Sequence, residues 1–256
     1  MDFLLNALAW IVDPANWVPG SQSPLPLGDR LVEHLLYSGV SLALAMLIAL
    51  PLGFAIGHTG RGRQFVIGFT GAMRALPTLG VLFFLTMVLR SGLSTTPAVL
   101  IGSIIAFVLL AIPSLLAGAY AGVESVDREA IDAARSIGMT ELQILFRVEI
   151  PLGLPVIIGG IRSAALQVIA TVTIASYVGL GGLGRIISSG IGLNDYTVIL
   201  GGALLVTALA LGVDGIFALL QRVTRTAGSA SAPRSRSQRN RSDSVTDPIV
   251  DERTPA

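Results

Sequence analysis

Long apolar stretches separated by short polar segments dominate this chain. Five of these stretches are long enough to cross a bilayer, which takes about 20 helical residues. They cover residues 35–56, 65–89, 98–120, 152–178 and 197–220. The pattern therefore predicts an all-α, polytopic membrane bundle of about five spans. The second stretch contains Arg74 and Pro77 and is expected to bend there, because proline removes a backbone donor and clashes with the preceding turn.

Residues 1–33 differ from the rest of the chain. Their apolar run, Phe3–Val12, is too short to span a membrane and is cut off by Asp13 and Pro14. Both tryptophans of the chain lie in this segment, and tryptophan rings favour the headgroup region. We predict an extracytoplasmic interfacial segment here, followed by a transmembrane domain over residues 34–225.

The last segment, residues 226–256, is rich in Ser, Arg, Pro and Asp and has few large apolar side chains. Such a composition buries too little surface to offset the entropy of ordering. We predict a disordered tail, whose arginines are able to attract anionic membrane lipid.

Arginines indicate the orientation of the bundle. One set of connections carries Arg61, Arg63, Arg128, Arg135, Arg147, Arg222 and Arg225, whereas the other carries only Arg30, Arg90 and Arg185. Positive residues concentrate on the cytoplasmic side of membrane proteins. The N-terminus is therefore predicted outside, and the connection at 121–151 and the C-terminus inside.

Composition limits the chemistry that the chain performs. Hydrophobic residues make up 52% of it and charged residues 13%, against about 25% charged in soluble domains. All 17 basic residues are arginine and there is no cysteine, so a Walker A lysine, a Schiff-base lysine and thiolate sites are excluded. We predict no catalytic residue, metal site or cofactor, and no nucleic-acid partner.

The most structured polar segment is 127–151, which reads as two short helices joined at Gly138. Asp127 is a suitable N-cap for the first helix, and Gly138 stands where a helix ends in the left-handed conformation. Thr140 and Gln143 have the spacing of a capping box for the second helix. Pro151 is expected to begin the next span.

The first of these helices carries a stripe of mostly small residues, Ala130, Ala133, Ala134 and Ile137, at helical spacing. Such a stripe allows another backbone to come close. Periodicity alone leaves two interpretations open: a hairpin on the membrane surface or against its own bundle, and a docking surface for another protein.

The spacing within 127–151 resembles the "EAA" signature of ABC importer permeases. In that family Glu-Ala-Ala is followed by three residues, Gly, nine residues and Ile-x-Leu-Pro. Here Asp132-Ala133-Ala134 precedes Gly138, and Val148-Glu-Ile-Pro151 follows at the same spacing. The departures are Asp132 for Glu, Val148 for Ile and Ile150 for Leu.

The resemblance implies a type I importer permease in the cell membrane, without enzyme activity of its own. It implies three protein partners: a cytoplasmic ABC ATPase, an extracytoplasmic substrate-binding protein, and a second permease copy, identical or related. The residues expected to couple the chain to the ATPase are Glu129, Asp132, Ala133, Ala134, Gly138 and Pro151.

Other segments resemble the branch of the family that imports glycine betaine, choline, carnitine or proline. They are Arg74–Gly80, Gly160–Ala164 and Val178–Gly184. The alternatives are an ABC importer of another small solute, such as an amino acid, methionine or an oxyanion, and a self-sufficient secondary transporter.

Four residues within the spans are candidates for the pathway or for packing: Arg74, Pro77, Arg162 and Asp214. A charge at membrane depth usually faces a bundle interior or a water-filled path. Arg162 therefore either lines the pathway or pairs with a neighbour such as Asp214.

Overall fold

The computed structural model describes residues 2–18 and 26–224, and all regular structure in these ranges is helical. The predicted tail at 226–256 lies outside the described residues. The α-helices are α1 Asp2–Val12, α2 Leu27–Thr59, α3 Arg63–Arg74, α4 Thr78–Arg90, α5 Thr95–Glu124, α6 Arg128–Ser136, α7 Glu141–Ile144, α8 Ile150–Ile174, α9 Gly184–Leu193 and α10 Tyr196–Thr224.

The predicted spans are confirmed as apolar helices. Four helices are long and apolar enough to cross a membrane: α2, α5, a continuous helix over Glu141–Val178 that includes α8, and α10. Helices α3 and α4 meet the same criterion only as a pair, bent by 86° where the chain passes from one to the other, so the count is four spans, or five if the pair is one span. The bend lies next to Pro77, which is the N-cap residue of α4. A proline disfavours helical geometry in the residue before it, so a bend is expected at this position.

Helices α2 and α5 pack in parallel through glycine. A Cβ on Gly53 would lie 2.5 Å from the Cβ of Ala119, and one on Gly57 would lie 2.8 Å from the Cβ of Val123. Since the residue numbers of α2 and of α5 both increase in the same direction along the contact, the two helices are parallel. The chain between them must return across the bundle, and the bent pair α3 and α4 makes that return.

Helices α5 and α8 cross in antiparallel fashion at an even shorter distance. A Cβ on Gly118 would lie 2.5 Å from the Cα of Gly160, and Gly122 meets Gly153 backbone to backbone. Small residues at such crossings allow van der Waals contact between membrane helices, where lipid supplies no hydrophobic drive for association. Around this crossing lies the main core, whose largest fully buried side chain is Phe107.

The last span, α10, is antiparallel to α8. Arg162 of α8 pairs with Asp214 of α10, and Gln221 donates to the Pro155 carbonyl at 2.8 Å. The start of α2 and the end of α10 therefore lie at opposite ends of the bundle. Which end faces the cytoplasm rests on the arginine distribution and stays a prediction.

The short helix α1 packs against α10. A Cβ on Gly201 would lie 2.7 Å from the Trp10 ring, so a glycine is required beneath that ring. The ring joins a small apolar cluster with Leu183, Ile186 and Val198. An interfacial location for this segment stays a prediction, and the packing shows which helix holds it.

Candidate functional site

The polar segment after α5 begins with the capped helix that its sequence predicts. The Asp127 carboxylate accepts a hydrogen bond from the Glu129 backbone at 3.1 Å. Glu129 lies in the first turn of α6 and Arg135 in the last, where each charge is favoured by the helix dipole. Glu129 is exposed and its side chain makes no hydrogen bond with a described residue.

The turn after α6 is a Schellman motif centred on Gly138. Gly138 has φ +85°, a left-handed conformation that costs L side chains energy. Its backbone amide donates to the Arg135 carbonyl at 2.9 Å, and the Met139 amide donates to the Ala134 carbonyl at 3.2 Å. The predicted end of α6 at Gly138 is confirmed.

The capping box at Thr140 and Gln143 is also confirmed, with both of its hydrogen bonds present. The prediction of a separate second helix before Pro151 is wrong. The helix that begins at Glu141 continues without interruption to Val178, so the next span starts well ahead of Pro151. One continuous helical rod therefore joins the Gly138 turn to the bundle.

Pro151 lies just beyond a π-helical turn, Leu145–Glu149, within this rod. The Ile150 amide donates to the Leu145 carbonyl, five residues back. A proline has no amide for the carbonyl four residues before it and its ring crowds that carbonyl. The wider turn explains how the helix passes Pro151 without a break, and Pro151 itself has a structural role in the rod.

The predicted stripe of small residues does not face one way. Ala134 is buried, in a helix whose main neighbours are α7 and the Leu145–Glu149 turn, whereas Ala133 and Asp132 are exposed and Ile137 is 80% exposed. The surface that remains open is a small, partly apolar patch made by Asp132, Ala133 and Ile137, here called the coupling patch. Ala134 instead anchors α6 to the protein.

Ion pairs stiffen the Gly138 turn. The Arg135 guanidinium donates two hydrogen bonds to the Glu141 carboxylate, at 2.9 and 3.0 Å, and approaches Asp132 at 3.4 Å. The hydrogen bond to Glu141 raises the pKa of Arg135 above its usual range. Sequence reasoning missed the continuation of this network to His58 and Glu149, because these residues are 91 positions apart.

Within the membrane domain, Arg162 pairs with Asp214 in a bidentate ion pair, with both N···O distances 2.6 Å. Of the two roles open for Arg162, the structure shows pairing. Pro77 lies at the α3–α4 bend, and the Arg74 side chain lies outside the described residues.

The glycine-rich segment after the 141–178 helix is fixed to the start of α2. The Gly182 amide donates to the Glu33 carboxylate at 2.8 Å, and the Leu183 amide approaches Nδ1 of the fully buried His34 at 3.3 Å. Gly179 and Gly182 have φ of +94° and +84°. Glycine is needed here for the fold, and Glu33 and His34 gave no sequence signal of this contact.

A cavity of about 600 Å³ lies between α4, the start of α5 and the turn at Ala175–Val178. Its aromatic side chains are Phe83, Phe84 and Tyr177, and Met87 and Arg90 complete one side. The structure thus brings together aromatic residues that are far apart in the sequence. Among residues 2–18 and 26–224, no three His, Asp or Glu side chains are placed to hold a metal ion.

Comparison with known proteins gives a consistent result. The model of the family described as "binding-protein-dependent transport system inner membrane component" matches residues 42–226. The glycine betaine/carnitine/choline transport system permease protein of Bacillus subtilis is 35% identical over 74% of this chain and 84% of its own length. The carnitine transport permease protein of Listeria monocytogenes is 40% identical over 71% and 80%. An osmoprotectant import permease protein of Salmonella typhimurium is 32% identical over 77% and 91%.

Solved structures share the fold. The inward-facing MetNI methionine ABC transporter has a TM-score of 0.68 at 22% identity, over 77% of this chain and 95% of that one. An amino acid ABC transporter solved with histidines has a TM-score of 0.65 at 16% identity, over 87% and 99%. At these identities the similarity shows the fold alone.

The Arg162–Asp214 pair generates a stability prediction. Asp214→Asn leaves the guanidinium without its counter-charge between two spans, so we expect the thermal midpoint of the purified protein in detergent to fall by several degrees. The double variant Arg162→Leu/Asp214→Leu is expected to recover most of that loss, because apolar replacement of both partners removes the unpaired charge. An equal loss in the single and double variants would contradict a role confined to mutual pairing.

Proposed function

Because the chain belongs to the family of binding-protein-dependent transport system inner membrane components, we propose that it is the permease subunit of an ABC importer that takes up osmoprotectants. The cargo class is glycine betaine and related quaternary ammonium compounds, with proline as a further member. ATP is hydrolysed by separate cytoplasmic subunits, a binding protein delivers the cargo outside, and a second permease copy completes the pathway.

The observation that carries the proposal is the lever built by α6, the Gly138 turn and the 141–178 helix. An ATPase that closes on ATP can move a membrane pathway only through a stiff element. Here α6 is capped at both ends, and the turn that follows leads directly into a span. The coupling patch gives the ATPase a place to hold this lever.

The coupling patch suits close contact with a cleft. The methyl group of Ala133 permits the approach of a partner backbone, Ile137 offers apolar area, and Asp132 offers a carboxylate for a basic residue of the ATPase. Asp132 is only weakly engaged within the chain, at 3.4 Å from Arg135. A charge-assisted contact from the partner is stronger than such a long exposed pair.

The cargo proposal is supported by the similar proteins, whose names cover glycine betaine, carnitine and choline transport. The aromatic cavity gives a second support. Quaternary ammonium groups bind aromatic faces by cation–π attraction, and Phe83, Phe84 and Tyr177 line the cavity together with Arg90. A zwitterion such as glycine betaine has an ammonium for the rings and a carboxylate for the guanidinium. The methionine ABC transporter, at 22% identity, shares the fold alone and gives no support for methionine as the cargo.

Docking is tested with Ala133→Trp in the complete importer. We expect the indole to block the cleft, so that the ATPase no longer co-purifies and uptake is lost, while the permease stays in the membrane. Gly138→Val is expected to act in the same direction, because a β-branched residue is strained at φ +85°.

The matched control for docking is Leu193→Trp, at the 73%-exposed last residue of α9. This residue lies at the end of the bundle away from the coupling patch, and the substitution is expected to leave uptake and ATPase binding unchanged. Normal co-purification and full uptake by Ala133→Trp would refute docking through this patch.

Cargo is tested by reconstituting the importer and measuring uptake of labelled glycine betaine, carnitine, choline and proline. Arg90→Gln is expected to lower uptake of the two methylated carboxylates by about tenfold relative to choline, which lacks a carboxylate. Arg185→Gln, which removes another arginine from the same set of connections, serves as the control. Uptake of none of the four compounds would retire the osmoprotectant proposal while leaving the docking result intact.

A further inference from the structure

His58, in the last turn of α2, lies between two carboxylates of the lever. Its Nδ1 is 2.6 Å from an oxygen of Glu149, and its Nε2 is 3.4 Å from an oxygen of Glu141. The imidazole is 13% exposed and the Glu149 side chain 5% exposed. Both ring nitrogens of His58 therefore face carboxylate oxygens of the rod.

Glu149 depends on this contact. Its carboxylate is buried at the end of the π-helical turn, and His58 is its hydrogen-bond partner within the part of the chain that the structure describes. A buried charge is expensive unless it is paired and hydrogen-bonded. The interaction therefore holds the end of α2 against the base of α8.

The position of the two carboxylates along the rod is informative. Glu141 is the first residue of the rod, and Glu149 is the last residue of the π-helical turn, Leu145–Glu149. Irregular turns of this kind are where helices bend. By contacting one residue before the turn and the last residue of the turn itself, His58 braces the part of the rod that would otherwise bend most readily.

The brace extends to α6 through Glu141, which also accepts both hydrogen bonds from Arg135. Helix α6 has few other attachments, since Ala134 is its one buried residue. A water-accessible cavity of about 360 Å³ separates much of α6 from the ends of α2 and α5, and it is lined by Arg128, Asp132 and Glu124 as well as by the network. The angle of the lever thus depends on polar contacts more than on apolar packing.

From this geometry we infer that His58 is a positioning residue for energy coupling. It stiffens the lever, so that movement of α6 by the ATPase reaches the spans instead of being absorbed at the Gly138 turn and the π-helical turn. The inference rests on the proposed function, because a lever needs the ATPase to move it. It adds a residue outside the loop and predicts a defect in coupling with docking preserved.

The test uses the complete importer in proteoliposomes and measures cargo transported per ATP hydrolysed. His58→Leu is expected to lower this ratio by about tenfold while the ATPase still co-purifies and still hydrolyses ATP. Glu149→Gln, which keeps the shape of the side chain and removes its charge, is expected to lower the ratio in the same direction. Arg63→Gln is the control, because it removes an exposed ion pair with Glu124 at the same end of the bundle.

A double variant separates bracing from simple stability. His58→Leu/Glu149→Leu removes both polar partners of the buried contact and is expected to restore the thermal midpoint, since apolar groups replace the pair. The double variant still lacks the contact between His58 and Glu141, so the amount of cargo transported per ATP should stay low. Recovery of the ratio together with stability would overturn the inference, and so would a normal ratio in His58→Leu.

The outcome is distinguishable from failure of the proposed function. If the wild-type chain fails to bind an ATPase, the proposed function is wrong and the coupling ratio is undefined. If the wild type binds and transports, and the His58 variants couple normally, only the positioning role of His58 is wrong.

Discussion

The contact on which this structure most depends is the close approach of α5 to both α2 and α8. Gly53 and Gly57 of α2 allow α5 to pack closely on one side. On the other side, Gly118 of α5 packs against Gly160 of α8. Apolar side chains gain nothing by leaving lipid for one another, so association of the spans rests on packing and hydrogen bonds. A central helix that touches two neighbours at backbone distance gives the bundle a rigid middle. The polar segment that begins with α6 is attached to this body.

The lever is attached by three different kinds of contact. The helix that starts at Glu141 gives a covalent connection, Ala134 gives a small buried contact, and the network of Arg135, Glu141, His58 and Glu149 gives directional ones. The exposed pairs contribute little stability, because solvent screens them. The buried Glu149 contact differs, since removal of its His58 partner leaves a buried polar group without its hydrogen bond, which costs about 1–3 kcal/mol. The stabilisation from the network therefore comes mainly from its buried end, where His58 of α2 contacts Glu149 of the rod.

Local features of the sequence predicted local features of the structure. Runs of apolar residues located the spans, Pro77 located the bend, and Asp127, Gly138 and Thr140 located the caps, because each effect acts within a few residues. The direction in which each side chain faces, and the contacts between residues far apart in the sequence, were not predictable in this way. Periodicity did not distinguish Ala133, which is exposed, from Ala134, which is buried, and composition did not pair His58 with Glu149 or gather Phe83 with Tyr177. The uninterrupted helix past Pro151 also escaped prediction, because a proline usually marks a boundary and here a π-helical turn accommodates it.

The central claim is that the coupling patch on α6 lies against an ATPase. The natural chain has no cysteine, so Ala133→Cys gives a single labelling site for a maleimide carrying a photoreactive group. In membranes containing the complete importer, illumination is predicted to join this chain to the ATPase, whereas Leu193→Cys treated in the same way should not reach it. Absence of the ATPase adduct from Ala133→Cys, in a complex that still transports cargo, would contradict the account.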